Sequence, residues 1–246
     1  MKIIKILLYI IVGTVLLLFG AYFFFNEKLP AGENQAKADT LATKMQTALN
    51  KSAWDSTNVV SWSFKGMHSY VWDKKNEMVQ ISWADNIVLL NLKEWNKGKA
   101  FKNSEEITDA QLDVLRGQAW GFFCNDSFWL IAPFKVFDAG VTRNIVKTGD
   151  SEALLVNYAD GGVTPGDSYL WFLDKSGIPT KYKLWVKIIP IGGVEATWGK
   201  WEKTQTGVNI ATEHQLGPLT LTMDDVKMGY SLADIGVKTD LFDVIK

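Results

Sequence analysis

Alternation of apolar and polar residues constrains the fold of this 246-residue chain more than any other feature. Over residues 181–188 every second residue is apolar, and the residues between them are lysine or tryptophan. This period of two predicts a β-strand with one buried face and one exposed face. The continuous apolar run at residues 169–173 is a predicted strand before it, and residues 194–198 resume the alternation after it. The turn before the central segment contains Gly177, which can take the positive φ of a hairpin. The three segments predict an antiparallel meander with a large aromatic buried face.

The same alternation predicts further strands along the chain. Residues 87–92 are apolar on both sides, so we expect that strand to be covered on both faces. Turn-forming residues separate the segments, and hairpin connections make the sheet antiparallel. Its right-handed twist can curl it towards a barrel. The other predicted strands are residues 59–64, 68–72, 78–83, 128–131, 154–158, 208–212 and 219–223.

Two apolar stripes at helical spacing predict helices that cover the sheet. The first stripe occupies residues 41–49, with Asp39 or Thr40 as its N-cap. The second begins at a capping box formed by Thr108 and Gln111 and is predicted to end at Cys124. Residues 132–148 then look like a long excursion, and residues 231–246 are expected to fold back as a short helix. The predicted fold class is therefore α+β and β-rich: a curved antiparallel sheet or incomplete β-barrel covered by two or three helices.

The N-terminal segment predicts a membrane anchor. Residues 6–25 carry no charge, and a helix of that length matches the ~30 Å hydrocarbon core of a bilayer. A cleaved signal peptide, which is the alternative, usually has a shorter apolar run followed closely by small residues. Lys2 and Lys5 precede the segment, which predicts a cytoplasmic N-terminus and a periplasmic domain. The expected division is an anchor at residues 1–28, a linker at 29–38 and a single extracytoplasmic domain at 39–246.

Composition narrows the functional classes. The formal net charge of −1 gives no basic field for nucleic acid. Cys124 is the only cysteine, so the chain cannot form an internal disulfide. A hydrophobic content of 47% with 11 Trp residues indicates a packed, aromatic-rich domain rather than a disordered one.

No catalytic or metal-binding motif emerges from the sequence. His68 and His214 are the only histidines, and neither lies in a zinc-binding spacing. Ser168 precedes a predicted strand, whereas an esterase nucleophile opens a helix. The glycine-rich residues 161–166 also lead into a strand and not into a phosphate-binding helix. We therefore expect a protein without enzymatic activity or cofactor. A hydrolase that uses His68 or His214 with a nearby carboxylate is the least favoured alternative.

A basic stripe lies on the predicted outer face of the meander. Lys181, Lys183 and Lys187 alternate with the inward residues and flank Trp185. The simplest interpretation is a solvated face that discourages edge pairing. Contact with anionic lipid headgroups is a second possibility. A third is that the protein is a scaffold or sensor that binds another envelope protein through this stripe.

The inward aromatic residues form the predicted ligand site. They either fill the core or leave a cavity for an apolar ligand, and periodicity leaves both options open. The function that follows from the second option is binding of a lipid, an acyl chain or another apolar group. The predicted ligand-binding residues are Trp62, Tyr70, Trp72, Trp83, Tyr169, Trp171, Tyr182 and Trp198.

Several segments together carry a family resemblance: helix 41–49 leading into strand 59–64, the aromatic strand 70–73, and the hairpin 170–174 with Ile178-Pro179 opening its return strand. Their order resembles the bacterial lipoprotein-carrier superfamily, which includes the periplasmic carrier of outer-membrane lipoproteins and its receptor. The resemblance implies an incomplete antiparallel barrel that is packed on helices and holds acyl chains inside. This chain differs in its apparent fixed anchor. Arg116 and Arg143 are its only arginines, and neither matches the carrier's functional arginine. The resemblance therefore implies lipid holding rather than shuttling.

Overall fold

The computed structural model describes residues 5, 7, 9, 12–14, 20, 22–160 and 162–245. Half of the uncharged segment at residues 6–25, on which the prediction of an anchor depends, lies outside these described residues. Within the part of the chain that is described, no helix has the length and apolar character needed to cross a membrane.

The described residues form one antiparallel sheet of 14 strands. The prediction of a large antiparallel sheet is confirmed, and the alternating segments are its strands. In chain order the strands are β1 Val59–Phe64, β2 His68–Asp73, β3 Met78–Trp83, β4 Asn86–Asn91, β5 Lys99–Lys102, β6 Glu105–Ile107, β7 Val141–Thr148, β8 Ser151–Tyr158, β9 Asp167–Leu173, β10 Pro179–Trp185, β11 Val194–Thr197, β12 Gly199–Lys203, β13 Asn209–Leu216 and β14 Leu219–Gly229.

The sheet is curved but not closed. Its strand order is β6-β5-β4-β3-β2-β1-β14-β13-β11-β10-β9-β8-β7, and β12 pairs with β13 beside this path. Strand β1 pairs with β14 from Val59 opposite Gly229 to Phe64 opposite Met223, which joins the two halves. Strands β6 and β7 remain as separate edges. A twisted sheet of this many strands curls rather than staying flat.

Antiparallel hairpins place the turns at two ends of the sheet. The registers put the β1–β2, β8–β9, β10–β11 and β13–β14 connections at one end. We call this the mouth end, and its main connections are residues 65–67, 159–166, 186–193 and 217–218. The β2–β3, β7–β8 and β9–β10 turns lie at the opposite, far end. The site described below opens at the mouth end.

Three helices are described: α1 Gln35–Ala48, α2 Lys51–Ser56 and α3 Gln111–Ile131. Helix α1 begins inside the predicted linker, because Asn34 is its N-cap and accepts a hydrogen bond from the Lys37 amide at 3.1 Å. The expected caps Asp39 and Thr40 are wrong. Asp39 lies inside the helix and instead accepts a hydrogen bond from Arg143 Nε at 2.5 Å.

Helix α3 corrects three expectations. Its N-cap, Ala110, makes no side-chain capping bond, and Asp109 rather than Thr108 accepts from the Gln111 amide at 2.9 Å. The helix then continues through Asn125-Asp126 to Ile131, so neither the predicted end at Cys124 nor the strand at residues 128–131 exists. Residues 127–131 are buried or half-buried around the whole circumference, as expected for a helix enclosed on all sides.

The sheet wraps around α3, and a single main core fills the space between them. Phe123 from the middle of the helix lies 5.3 Å from Trp72 of β2, between ring centroids. One turn and a half later, Trp129 lies 5.3 Å from His214 of β13. One helix can contact such distant strands only because the sheet is curved.

The C-terminal segment covers part of the outer face of the sheet. Near the C-terminus Phe242 is fully buried against Leu89 and Met78, which confirms that β4 is covered on both faces. Short 3₁₀ segments at Leu232–Ile235 and Asp243–Ile245 replace the short helix expected there. At the other edge, residues 141–148 form strand β7 where an irregular excursion was predicted. Two more 3₁₀ turns are present: Trp95–Lys97 precedes β5, and Ala132–Phe134 directly follows α3.

Candidate functional site

A cavity of about 790 Å³ lies between α3 and the inner face of the sheet. This volume falls within the range of ~300–1,000 Å³ that is usual for small-molecule sites. Most of its walls are apolar, and polar side chains are gathered at the mouth end. The principal wall residues are Phe64, Trp72, Leu92, Trp120, Phe123, Phe128, Trp129, Ile131, Val141, Tyr158, Tyr169, Tyr182, Leu184, Leu216 and Leu221.

Three of the eight predicted ligand residues line this cavity: Trp72, Tyr169 and Tyr182. The others also belong to the core around α3 but lie outside the cavity walls. Trp83 is half-buried, and its ring centroid lies 5.4 Å from that of Phe122, with the two rings nearly perpendicular. The remaining four are buried, with at most 2% of each residue exposed, and they are Trp62, Tyr70, Trp171 and Trp198.

A tightly packed cluster, which we call the aromatic wall, borders the cavity. It consists of Trp171, Tyr182, Trp198 and His214. Trp171 and Trp198 lie 4.9 Å apart, and Trp198 meets His214 at 4.4 Å, between ring centroids. The aromatic wall is therefore a solid core, whereas the space beside it is a cavity. The Nε1 atoms of both tryptophans are buried and have no hydrogen-bond partner among the described residues.

Helix α3 supplies the cavity residues that the sequence argument missed. Trp120, Phe123, Phe128, Trp129 and Ile131 all face the cavity from this helix. The available signal was the apolar run that continues beyond Asn125-Asp126. That pair resembled a helix end, because Asn and Asp side chains compete with helical backbone hydrogen bonds.

Three tyrosines, each with one hydroxyl group, are among the residues that line the apolar cavity. Tyr158 and Tyr169 lie 5.7 Å apart and Tyr169 and Tyr182 lie 5.2 Å apart, between ring centroids. Burial raises the pKa of each phenol above its ordinary value, and proximity of the phenols to one another adds to the shift for Tyr158 and Tyr182. All three therefore remain neutral hydroxyls at physiological pH. A neutral hydroxyl can both donate a hydrogen bond to a ligand oxygen and accept one.

Asp126 is the buried polar centre between α3 and the sheet. Only 1% of it is exposed, and Oδ2 accepts a hydrogen bond from the Tyr70 hydroxyl at 2.5 Å and lies 2.7 Å from His68 Nδ1. Burial, followed by the charge of Asp126, raises the pKa of Tyr70. The His68 ring stacks on Phe122 at 4.0 Å. Because Asp126 belongs to α3 and both of its partners belong to β2, this group links β2 to α3.

His214 and Cys124 are both shielded from water. Burial lowers the pKa of His214 to about 4, although backbone groups of Thr197 and Trp129 partly offset the shift. Burial also raises the pKa of the Cys124 thiol to about 12. An imidazole with so low a pKa is a weak base, and a protonated thiol is a weak nucleophile. Within the described part of the chain, no group of three metal-ligating side chains is found.

Polar contacts hold the mouth of the cavity together. Asp167 is buried at the start of β9, and its carboxylate accepts from the Thr164 hydroxyl at 2.6 Å and from the Lys187 amide at 3.1 Å. The second contact and the turn at residues 186–189 draw the chain out of the sheet. The predicted strand 181–188 consequently ends at Trp185, and Ile188 is 70% exposed.

The basic outer stripe is partly occupied by the chain itself. Residues 26–33, which we call the strap, cross the outer face from the β10–β11 connection to edge strand β7. Lys183 Nζ contacts both Glu27 carboxylate oxygens at 2.6 and 2.7 Å, and Trp185 Nε1 donates to the Glu27 carbonyl at 2.8 Å. Lys181 pairs with Glu195 at 2.7 Å. Lys187, the third lysine of the stripe, is exposed and forms no ion pair with the described residues.

Comparison with known proteins finds solved structures that are weakly similar to this chain. No family model and no curated protein matches it. Among solved structures, a DUF1329 family protein from Desulfovibrio piger has a TM-score of 0.41 at 11% identity, with 82% of this chain and 96% of that chain covered. An outer membrane lipoprotein-sorting protein domain from Vibrio parahaemolyticus has a TM-score of 0.39 at 9% identity, with 82% and 97% covered. At these values the likeness assigns neither a family nor a function.

Proposed function

We propose that this protein binds a lipid or another ligand with a hydrocarbon chain in the cavity between α3 and the sheet. The observation that carries the proposal is the cavity of about 790 Å³ itself, whose walls are mostly aromatic and aliphatic side chains. Removing apolar surface from water is worth ~25 cal/mol per Å², so a hydrocarbon chain is the ligand such walls favour.

The polar groups of the site support a ligand with one polar end. Tyr158, Tyr169 and Tyr182 line the cavity, and Lys65 and Lys135 line it as well. An apolar pocket with a small number of polar groups is the usual form of a site that orients its ligand. An ester or carboxylate next to a hydrocarbon tail satisfies both features.

We also propose that the domain is held at the outer surface of the cytoplasmic membrane. The support is the uncharged segment at residues 6–25 with Lys2 and Lys5 before it. A C-terminal phosphatase fusion expressed in a bacterial host tests the topology. It is expected to be active, and an inactive fusion would reverse the proposed orientation.

Binding is tested with a fluorescent fatty acid, cis-parinaric acid, added to the full-length chain in detergent micelles. Cys124→Phe adds a ring to the cavity wall and is expected to weaken binding at least several-fold, because the cavity loses volume. Gln118→Phe adds the same ring at an exposed position on the same helix and should bind like the original chain. If the original chain does not bind the probe, or if both variants bind it equally well, the proposal fails.

A further inference from the structure

The strap fixes the position of the cavity mouth relative to the end of the N-terminal segment. Residues 22–25 are helical, and the Asn26 amide still donates to the Tyr22 carbonyl at 2.9 Å. Asn26 Oδ1 also accepts a hydrogen bond from the Gly192 amide at 2.9 Å. The Glu27 amide donates one to the Gly192 carbonyl at 2.9 Å. No flexible spacer therefore separates this helical turn from the β10–β11 connection.

Glycine is required for this close contact. Gly193 has φ of 80°, and a Cβ atom added there would lie 2.6 Å from Glu27 Cβ. A Cβ on Gly192 would lie 2.7 Å from the Glu27 carbonyl oxygen. Both distances are shorter than van der Waals contact, so a side chain at either position would push the strap away from the connection. We call the contacts of residues 26–27 with residues 183–193 the clamp.

The clamped connection also forms part of the cavity mouth. Ile188 and Ile189 line the cavity, and they precede Gly192 by four and three residues. At ~3.3–3.6 Å per residue, Ile188 lies within about 14 Å of the clamp. Ile188 is 70% exposed, and the other mouth-end connections contribute Met67 and Val163, each 53% exposed. The rim of an apolar cavity thus presents exposed apolar side chains, with Lys187 beside them.

We infer that the clamp holds the mouth of the cavity against the bilayer that contains the N-terminal anchor, so that the hydrocarbon ligand passes between membrane and cavity without crossing bulk water. This inference rests on the proposed function. The last apolar residue of the predicted anchor, Phe25, precedes the clamp by one residue, which places the clamp at the level of the headgroups. That layer is ~5–8 Å thick on each side of the hydrocarbon core. Ile188, Val163 and Met67 are the side chains that enter it, and Lys187 suits the anionic headgroups.

The test measures how deeply single labels lie in vesicles. The full-length chain on a Cys124→Ala background receives a fluorescent label at Ile188→Cys or, as a control, at Asp150→Cys in a far-end turn. Each protein is reconstituted in vesicles of phosphatidylethanolamine and phosphatidylglycerol that contain nitroxide-labelled lipid. We expect the nitroxide to quench the label at position 188 several-fold more strongly than the label at position 150. Equal quenching at the two positions, or none at position 188, would overturn the inference.

A second comparison tests the clamp. Gly193→Ala should lower the quenching at position 188 because the new Cβ collides with Glu27. Gly149→Ala introduces a similar positive-φ strain at a far-end turn where a Cβ meets nothing within 4 Å, and it should leave the quenching unchanged. Equal effects of the two substitutions would show that the clamp does not set the orientation. Binding of cis-parinaric acid, measured on the original chain in detergent, separates the two proposals. Binding without quenching rejects the membrane contact alone, whereas quenching without binding rejects the lipid site.

Discussion

The aromatic wall and the cavity differ in packing although the same strands build both. Trp171 and Tyr169 lie two residues apart on β9 and point to the same face of the sheet. Trp171 is fully buried between Tyr182 and Trp198, at 4.8 and 4.9 Å between ring centroids. Tyr169 instead lines the cavity. A large inward ring therefore does not by itself distinguish a filled core from a ligand site. The distinction depends on which side chains of helix α3 and of the mouth-end connections contact the ring.

The largest effect is expected from truncating the aromatic wall. Trp171→Ala removes a fully buried ring from a site without free volume, and the free energy of unfolding should fall by about 3–5 kcal/mol. Tyr169→Ala enlarges an existing cavity. Its loss of unfolding free energy should be about 1–2 kcal/mol smaller than that of Trp171→Ala, because fewer packing contacts are lost. Urea unfolding of the full-length chain in detergent measures both. Equal losses would show that the aromatic wall and the cavity do not differ in packing.

The second-largest loss of stability is expected from replacing Asp126. Asp126→Ala leaves the Tyr70 hydroxyl and His68 Nδ1 without their buried partner, and stability should fall by about 3 kcal/mol. Tyr70→Phe removes one of these hydrogen bonds and leaves His68 paired, so it should lower stability by about 1–2 kcal/mol. The same unfolding measurement applies. If Asp126→Ala proved no worse than Tyr70→Phe, Asp126 would not be the link between α3 and the sheet.

Much of the sheet could be predicted from the sequence, because period-two alternation is a local property. Strands β1 to β4, β9 and β10 were located within a few residues of their observed bounds. Helix α3 was not, because its course through Asn125-Asp126 depends on Tyr70 and His68, more than 50 residues away in the chain. The cavity wall on α3 was missed for the same reason. Periodicity also gives Tyr169 and Trp171 the same face and so cannot assign one to the cavity and the other to the wall.

The aromatic wall should also make stability depend on pH. His214 is neutral in the folded protein because burial lowers its pKa from 6.5 to about 4. Below pH 6.5 the unfolded chain binds a proton that the folded chain does not, so stability falls as the pH drops towards 4 and rises again as the pH is raised. The loss from this one residue is about 2–3 kcal/mol. A His214→Phe variant should lack this part of the pH dependence, and an unchanged pH profile would place His214 in contact with water.

The smallest effect is expected from the strap, which lies outside both the wall and the cavity. The Glu27–Lys183 ion pair is 2.6 Å long, and the two side chains are 50% and 26% exposed. Ion pairs in such positions contribute only ~0.2–1 kcal/mol, since water screens them. Glu27→Gln should therefore leave urea unfolding nearly unchanged, while the backbone contacts of the clamp persist. A loss above about 2 kcal/mol would mean that the strap is part of the folded core and not a surface tether, because only buried pairs contribute that much. In that case packing of the strap into the core would fix the position of the cavity mouth, and a substitution at the clamp alone would not change that position.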